Sequence, residues 1–211
     1  MNQADSPVYY YLGVLADMVI VNILCLICTI PIVTAGAAWA ASYKVMQDLI
    51  MGQEGRVLNR FFAAFRDNFR QASVVYICLC AALFGLVCQS ILVVTYFSGT
   101  VVMVLLGITL ILGICLFILA SHARTLLVRY RNSLREHWHN ALLLLITHPV
   151  RSLLIVAARL MPILLWNYAP DIFYRTMILW FFVGISAGDY LESLLMRNVL
   201  LSLEDAAEHV C

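Results

Sequence analysis

The chain has 211 residues, 64% of them hydrophobic and 12% charged, with a net charge of +1 and a mean hydropathy of +0.93. A soluble domain carries about 45 to 50% apolar and about 25% charged residues, so the composition excludes an ordinary soluble domain and offers no basic surplus for a nucleic-acid partner. It predicts a single all-α domain, a polytopic membrane helical bundle of about five transmembrane helices with short cytoplasmic amphipathic helices.

A crossing helix needs an apolar run of about 18 residues or more. The first such run is Leu12 to Val33. It follows "MNQADSPVYYY", which has an acid and no Lys or Arg, so a retained span is expected in place of a cleavable signal. Tyr9 to Tyr11 would anchor its outer end at the headgroups. Asn22 shares a helical face with Cys25 and Thr29, a pattern suited to interhelical hydrogen bonding. Pro31 then ends or bends the helix, and Thr34 is placed to cap a second helix in "AGAAWAAS". The small residues Gly36, Ala37, Ala40 and Ala41 there allow close helix approach, and Lys44 marks the cytoplasmic side. In "RVLNRFFAAFRDNFRQA", Leu58, Phe61, Phe62, Phe65 and Phe69 share one face and Arg56, Arg60 and Asp67 the other, the pattern of an interfacial amphipathic helix.

The second and third spans are Val74 to Phe97 and Val101 to Ser121. A fourth, roughly Leu142 to Trp166, is interrupted by His148, Pro149 and Arg151; the alternative is a short interfacial helix followed by a span from near Ser152. Trp166 and Tyr168 form its outer aromatic anchor. The fifth is roughly Met177 to Met196, and residues 197–211, ending "SLEDAAEHVC", read as a solvated cytoplasmic tail. Lys44, Arg56, Arg60, Arg66 and Arg70 lie between spans one and two, Arg124, Arg129, Arg131 and Arg135 between three and four, and Arg197 after five. The opposite connections hold only Arg175. The positive-inside rule then sets the N-terminus outside and the C-terminus inside.

The order "VNILCLICTIPIVTAGAAWAASYKVMQDLIMGQEG…FFAAFRDNFRQA" resembles the YesL-like family of bacterial integral membrane proteins. Asn22, Pro31, Thr34, Gly36, Phe62, Phe65, Phe69, Gln71 and Ala72 match its pattern as they stand, whereas Ala37 replaces the proline that follows the family's glycine. The likeness is clear over the first half of the chain and weaker beyond it. The family has no established molecular activity. What the resemblance implies is a setting, the cytoplasmic membrane of Gram-positive bacteria, often beside genes for carbohydrate uptake and its sensing.

Ionisable groups inside a membrane are costly enough to be functional candidates. Asp17 lies about 7.5 Å inside the start of span one and Arg159 about 10 Å from the outer end of span four, by the rise of a helix. An Asp17 to Arg159 ion pair is therefore expected, fixing helix register or, less simply, holding a substrate. In span five, Gly184 and Gly188 have the i, i+4 spacing of close helix packing, and Asp189 and Glu192 follow one turn apart. Those carboxylates suit cation binding or proton relay, but the plainer expectation is that they meet an Arg of the basic loops.

Seven cysteines form no zinc pattern: Cys25 and Cys28 make one isolated CxxC in an apolar helix. His137 and His139 project about 200° apart on a helix and do not chelate one metal. With no phosphate loop and no nucleophile and base pattern, no enzyme, cofactor or metal is expected. Two classes remain. One is an accessory or regulatory membrane protein whose Arg60, Arg70, Arg129 and Arg131 meet anionic lipid or a sugar importer or sensor protein. The other is a small solute transporter or channel acting as a homo-oligomer, for which no convincing internal repeat is present.

Overall fold

The computed structural model describes residues 7–53 and 55–208, and the side chains of 10–53 and 55–203, so Tyr9 and the last acidic residues lie outside the described side chains. The described chain is helical: α1 (Pro7–Thr29), α2 (Ile32–Ile50), α3 (Val57–Tyr96), α4 (Thr100–Leu127), α5 (Leu134–Thr147), α6 (Pro149–Tyr168) and α7 (Pro170–Glu208). Five of these, α1, α3, α4, α6 and α7, are long and apolar enough to cross a membrane.

The first turn of the chain answers what Pro31 does. α1 stops at Thr29, Pro31 stands as the N-cap of α2, and α2 folds back along α1. Thr34 does not cap α2. Its hydroxyl donates to the Cys28 carbonyl at 2.6 Å, an acceptor that the end of α1 leaves open, and shares that proton with the Pro31 carbonyl at 2.8 Å. Val21 and Cys25 of α1 then pack with Ala38, Ala41, Val45 and Met46 of α2, and Met18, Leu49, Val57 and Phe61 join the same cluster. The α1–α2 pair is thus an antiparallel hairpin, with its apolar tip at Ile30 and Ile32 exposed.

α2 is the central helix. Twelve of its nineteen residues are buried, from Ala35 to Asp48. It runs antiparallel to α3, with the Ser73 hydroxyl donating to the Val33 carbonyl at 2.9 Å near one end and Lys44 and Asp48 facing Arg60 and Asp67 across a cleft near the other. Gly36 sets the crossing. A Cβ there would overlap the Ala72 carbonyl and stand 2.7 Å from Tyr76 Cβ, which no side chain tolerates. Because α2 doubles back, the first half of α1 lies at the same end of the bundle as the 51–56 connection, where the span count puts the two at opposite ends.

α3 is one unbroken helix of 40 residues, so the amphipathic segment is its first half rather than a separate interfacial helix. Its aromatic face is split: Phe61 is fully buried in the bundle, Phe65 and Phe69 are half-buried, and Leu58 and Phe62 are exposed. Gly99, at φ 65°, makes the tight "SGT" turn into α4. The fourth apolar run divides, as its interruption allows, into α5 and α6 at His148, with Pro149 in the first turn of α6 where it lacks no needed donor. Ser133 and Glu136 form a capping box that starts α5. α7 continues to Glu208, and Met196, Val199 and Leu200 are buried against Leu126, Leu127 and Leu144, so the first turn of the segment expected to be a tail from residue 197 is packed in the bundle, whereas Leu201 to Leu203 are exposed.

Candidate functional site

Where α2, α4, α6 and α7 meet, four charged side chains come together: Arg124, Arg159, Asp189 and Glu192. Arg124 is 2% exposed, Asp189 0% and Glu192 1%, while Arg159 is partly exposed at 13%. Taking one ion out of water costs several kcal/mol, about what good geometry and saturated hydrogen bonding must return. Here every carboxylate oxygen accepts a hydrogen bond, and each arginine donates through its terminal nitrogens while its Nε has no partner.

Each helix presents its groups on one face. On α4, Ser121, Arg124 and Thr125 fall at i, i+3 and i+4; on α7, Asp189 and Glu192 are i, i+3. The Arg124 guanidinium forks, Nη1 donating to Asp189 Oδ1 at 2.7 Å and Nη2 to Glu192 Oε2 at 2.6 Å. Arg159 Nη2 reaches the same two oxygens, donating to Asp189 and, at 3.0 Å, to Glu192. The remaining carboxylate oxygens accept from hydroxyls: Asp189 Oδ2 from Ser42 at 2.5 Å, and Glu192 Oε1 from Ser121 at 2.7 Å and Thr125 at 3.2 Å. Arg124 also lies 4.1 Å from the Trp39 ring centroid and 4.5 Å from that of Tyr43, a contact in which the ring face attracts the cation. Two cations and two carboxylates give a neutral set.

Asn22 makes a second link. Its Nδ2 donates to the Phe181 carbonyl at 2.6 Å while Oδ1 accepts from the Ile185 and Ser186 N–H groups at 2.8 and 3.2 Å. One amide of α1 therefore bridges a rung of the α7 backbone just above the charges. Thr29 bonds only within its own helix, to the Cys25 carbonyl.

The structure corrects the expected Asp17 to Arg159 pair: Arg159 is taken by Asp189 and Glu192, and the charge that reaches Asp17 is Arg60. The α7 carboxylates, expected to face the cytoplasmic interface and meet an Arg of the basic loops, do meet Arg124, but both are buried inside the bundle, where α4 carries that arginine. Gly188 has a different use from the one expected. A Cβ there would stand 2.5 Å from Arg159 Nη1, so the glycine makes room for a guanidinium instead of a neighbouring backbone. A Cβ on Gly184 would touch only Trp180 of its own helix.

At the basic end of the bundle a polar cleft of about 660 Å³ opens between α2, α3 and the connection after α4, lined by Lys44, Asp48, Arg60, Asp67, Arg129 and Arg131 among others. Three of the four candidate contact arginines line it; Arg70 does not. Arg60 donates to the Gln53 carbonyl at 3.0 Å, Lys44 pairs with Asp48 at 3.0 Å, and Gln71 donates to the Asn132 carbonyl at 3.3 Å, tying α3 to the far wall. On α5, His137 is buried and His139 exposed, on diverging faces. Among the described residues, no group of three or more His, Cys, Asp or Glu is placed to hold a metal.

No curated protein and no solved structure matches the chain. From Met18 in α1 to His122 in α4, residues 18–122, the sequence matches the family described as "Protein of unknown function, DUF624", a stretch that holds Asn22, the second half of α1 and all of α2 and α3.

Proposed function

We propose that the chain is a non-catalytic membrane protein, accessory or regulatory to another assembly, that meets its partner at the basic end of the bundle. The observation that carries this reading is the cleft, which gathers Arg60, Arg129 and Arg131 around one opening. The buried charges support the same reading, because every one of them is held by protein groups and the set acts as a lock between four helices. The likeness to the YesL-like family adds the setting, carbohydrate uptake or its sensing at a bacterial cytoplasmic membrane.

The positive-inside rule turns the basic end toward the cytoplasm. With α1 and α2 paired as a hairpin, the N-terminus then shares that side with the C-terminus. Cysteines introduced near each terminus and labelled in intact cells test this: both stay unlabelled until the membrane is opened, and labelling of the N-terminal one from outside refutes it.

Purification of the tagged protein in mild detergent from its own host, grown on inducing sugars, tests the main reading by mass spectrometry of what stays bound. A stoichiometric importer subunit or sensor, lost on Arg60→Glu with Arg131→Glu, is the expected result. A homo-oligomer free of partners that carries solute flux in proteoliposomes would replace it with the transporter reading.

A further inference from the structure

Away from the buried charges, α3 and α4 continue as a two-helix hairpin closed by the Gly99 turn, and of the five crossing helices they bury the smallest share of their apolar windows, 11% each. Most polar side chains along this hairpin are satisfied within their own helix. Ser90, Thr95 and Thr109 donate to the Leu86, Ile91 and Leu105 carbonyls, each at 2.8 Å. Gln89 is different. Its Nε2 donates to Thr109 Oγ1 at 3.2 Å across the seam between the two helices, while its second N–H and its Oε1 make no hydrogen bond among the described residues.

Gln89 is also exposed, and what it is exposed to is not water. By the rise of a helix it stands about 12 Å inside the Phe97 end of the apolar run of α3 and about 22 Å from the Val74 end, so its amide reaches neither membrane surface. Hydrocarbon offers no donor and no acceptor, and an amide held at such depth is ordinarily met by another helix. The bundle does not supply that helix: the apolar hollow where α6 approaches the hairpin, lined by Leu86, Ser90, Thr109 and Leu160 among others, opens on another flank. Leu92 and Tyr96 follow Gln89 at i+3 and i+7, so one exposed face of α3 carries all three.

We propose that a second copy of the chain covers this face, with Gln89 paired to Gln89 of the other copy across a two-fold axis along the membrane normal. Two copies in one bilayer share an orientation, so such an axis sets each residue against its own counterpart at equal depth. Each Gln89 offers one open N–H and one open Oε1, and two reciprocal N–H to Oε1 bonds use all of them. A different protein would have to present an amide at that same depth, whereas this chain does so by symmetry. The inference goes beyond the partner reading and is measured on the chain alone, without host proteins or solute, so either can fail without the other.

Two pools of the full chain, carrying a donor or an acceptor fluorescent protein at the C-terminus, are mixed in phosphatidylcholine liposomes, and energy transfer is read over a range of protein-to-lipid ratios. Transfer should fall on dilution and vary linearly with the acceptor fraction, as a dimer requires. Gln89→Leu, which sets an apolar side chain against lipid and leaves the bundle folded, should raise the protein density at half-association by at least about threefold, the scale of an interhelical hydrogen bond in a membrane. Gln89→Asn, which keeps a donor and an acceptor, should raise it less. Leu92→Trp on the same face should weaken association, and Leu110→Trp, at the hollow on the other flank, should not. Melting curves of the dilute variants check that each stays folded. Transfer no greater than that of an unrelated membrane protein overturns the proposal and leaves Gln89 to a different partner. Transfer that Gln89→Leu and Leu92→Trp leave unchanged overturns it as well, because the copies then meet elsewhere.

Discussion

Gly188 of α7 holds open the space that the Arg159 guanidinium of α6 occupies, with 2.5 Å between Arg159 Nη1 and the point where a Cβ would sit. Glycine inside a helix ordinarily costs about 1 kcal/mol against alanine, so the residue is retained for the cation it admits. Gly188→Ala is expected to lower Tm in detergent in spite of its better helix propensity. Gly85→Ala on α3, where a Cβ meets nothing within 4 Å, is the control and holds or raises Tm.

The four buried charges behave as a unit. Arg124→Met leaves two carboxylates facing one guanidinium and is expected to cost about 3 to 5 kcal/mol, the usual result of stranding a buried charge. Pairing it with Glu192→Met restores neutrality in an apolar shape. The double variant should then be more stable than the sum of the singles by about 1 to 3 kcal/mol, read from unfolding curves of all four proteins.

Asn22 offers a sharper test of geometry than of charge. Asn22→Leu frees the Phe181 carbonyl and the Ile185 and Ser186 N–H groups of their bridge, for a loss of about 1 to 3 kcal/mol. Asn22→Asp keeps the acceptor but sets a carboxylate against the Phe181 carbonyl, and is expected to be the worse of the two in the same unfolding assay.

Two groups on α5 give a pH dependence. Burial pushes the His137 imidazole below its ordinary value, so as pH falls the unfolded chain takes up that proton first. Stability is therefore complete above about pH 6.5 and declines as pH drops through the range between the free and the folded value. Glu136 is held below the ordinary carboxylate range by its hydrogen bonds at the Ser133 cap, so its contribution is complete above the unfolded carboxylate value and is lost as pH falls through the folded one, in a lower window. Tm measured across pH should fall in two stages, and His137→Leu should reduce the upper one and leave the lower unchanged.

The helical content, the five long apolar helices and the break before Pro149 were all legible in runs, charges and proline position. α2 was not legible as a returning helix. Its second half carries Tyr43, Lys44, Gln47 and Asp48, which fail any test for a span, yet the protein itself buries all but the half-buried Lys44. That one omission explains the misplaced ion pair. The depths of Asp17 and Arg159 were taken from a common outer edge, and the hairpin reverses α1, carrying Asp17 toward Arg60 at the basic end. Asp189, Glu192 and Arg159 were found because carboxylates and guanidinium stand out in apolar runs. Arg124 was counted with the loop cations because it follows the last apolar stretch. Its place on one face with Ser121 and Thr125 was the available signal, since a loop has no use for that spacing.

The arrangement of two guanidiniums and two carboxylates has an electrical consequence. A single charge moved through a membrane potential exchanges about 2.3 kcal/mol with each 100 mV, but the intact set sums to zero, so a rigid displacement of it along the field performs no electrical work at any depth. The bundle can shift its helices together without the voltage favouring either position. Asp189→Asn leaves one uncompensated positive charge in that place and makes the same motion answer to the potential.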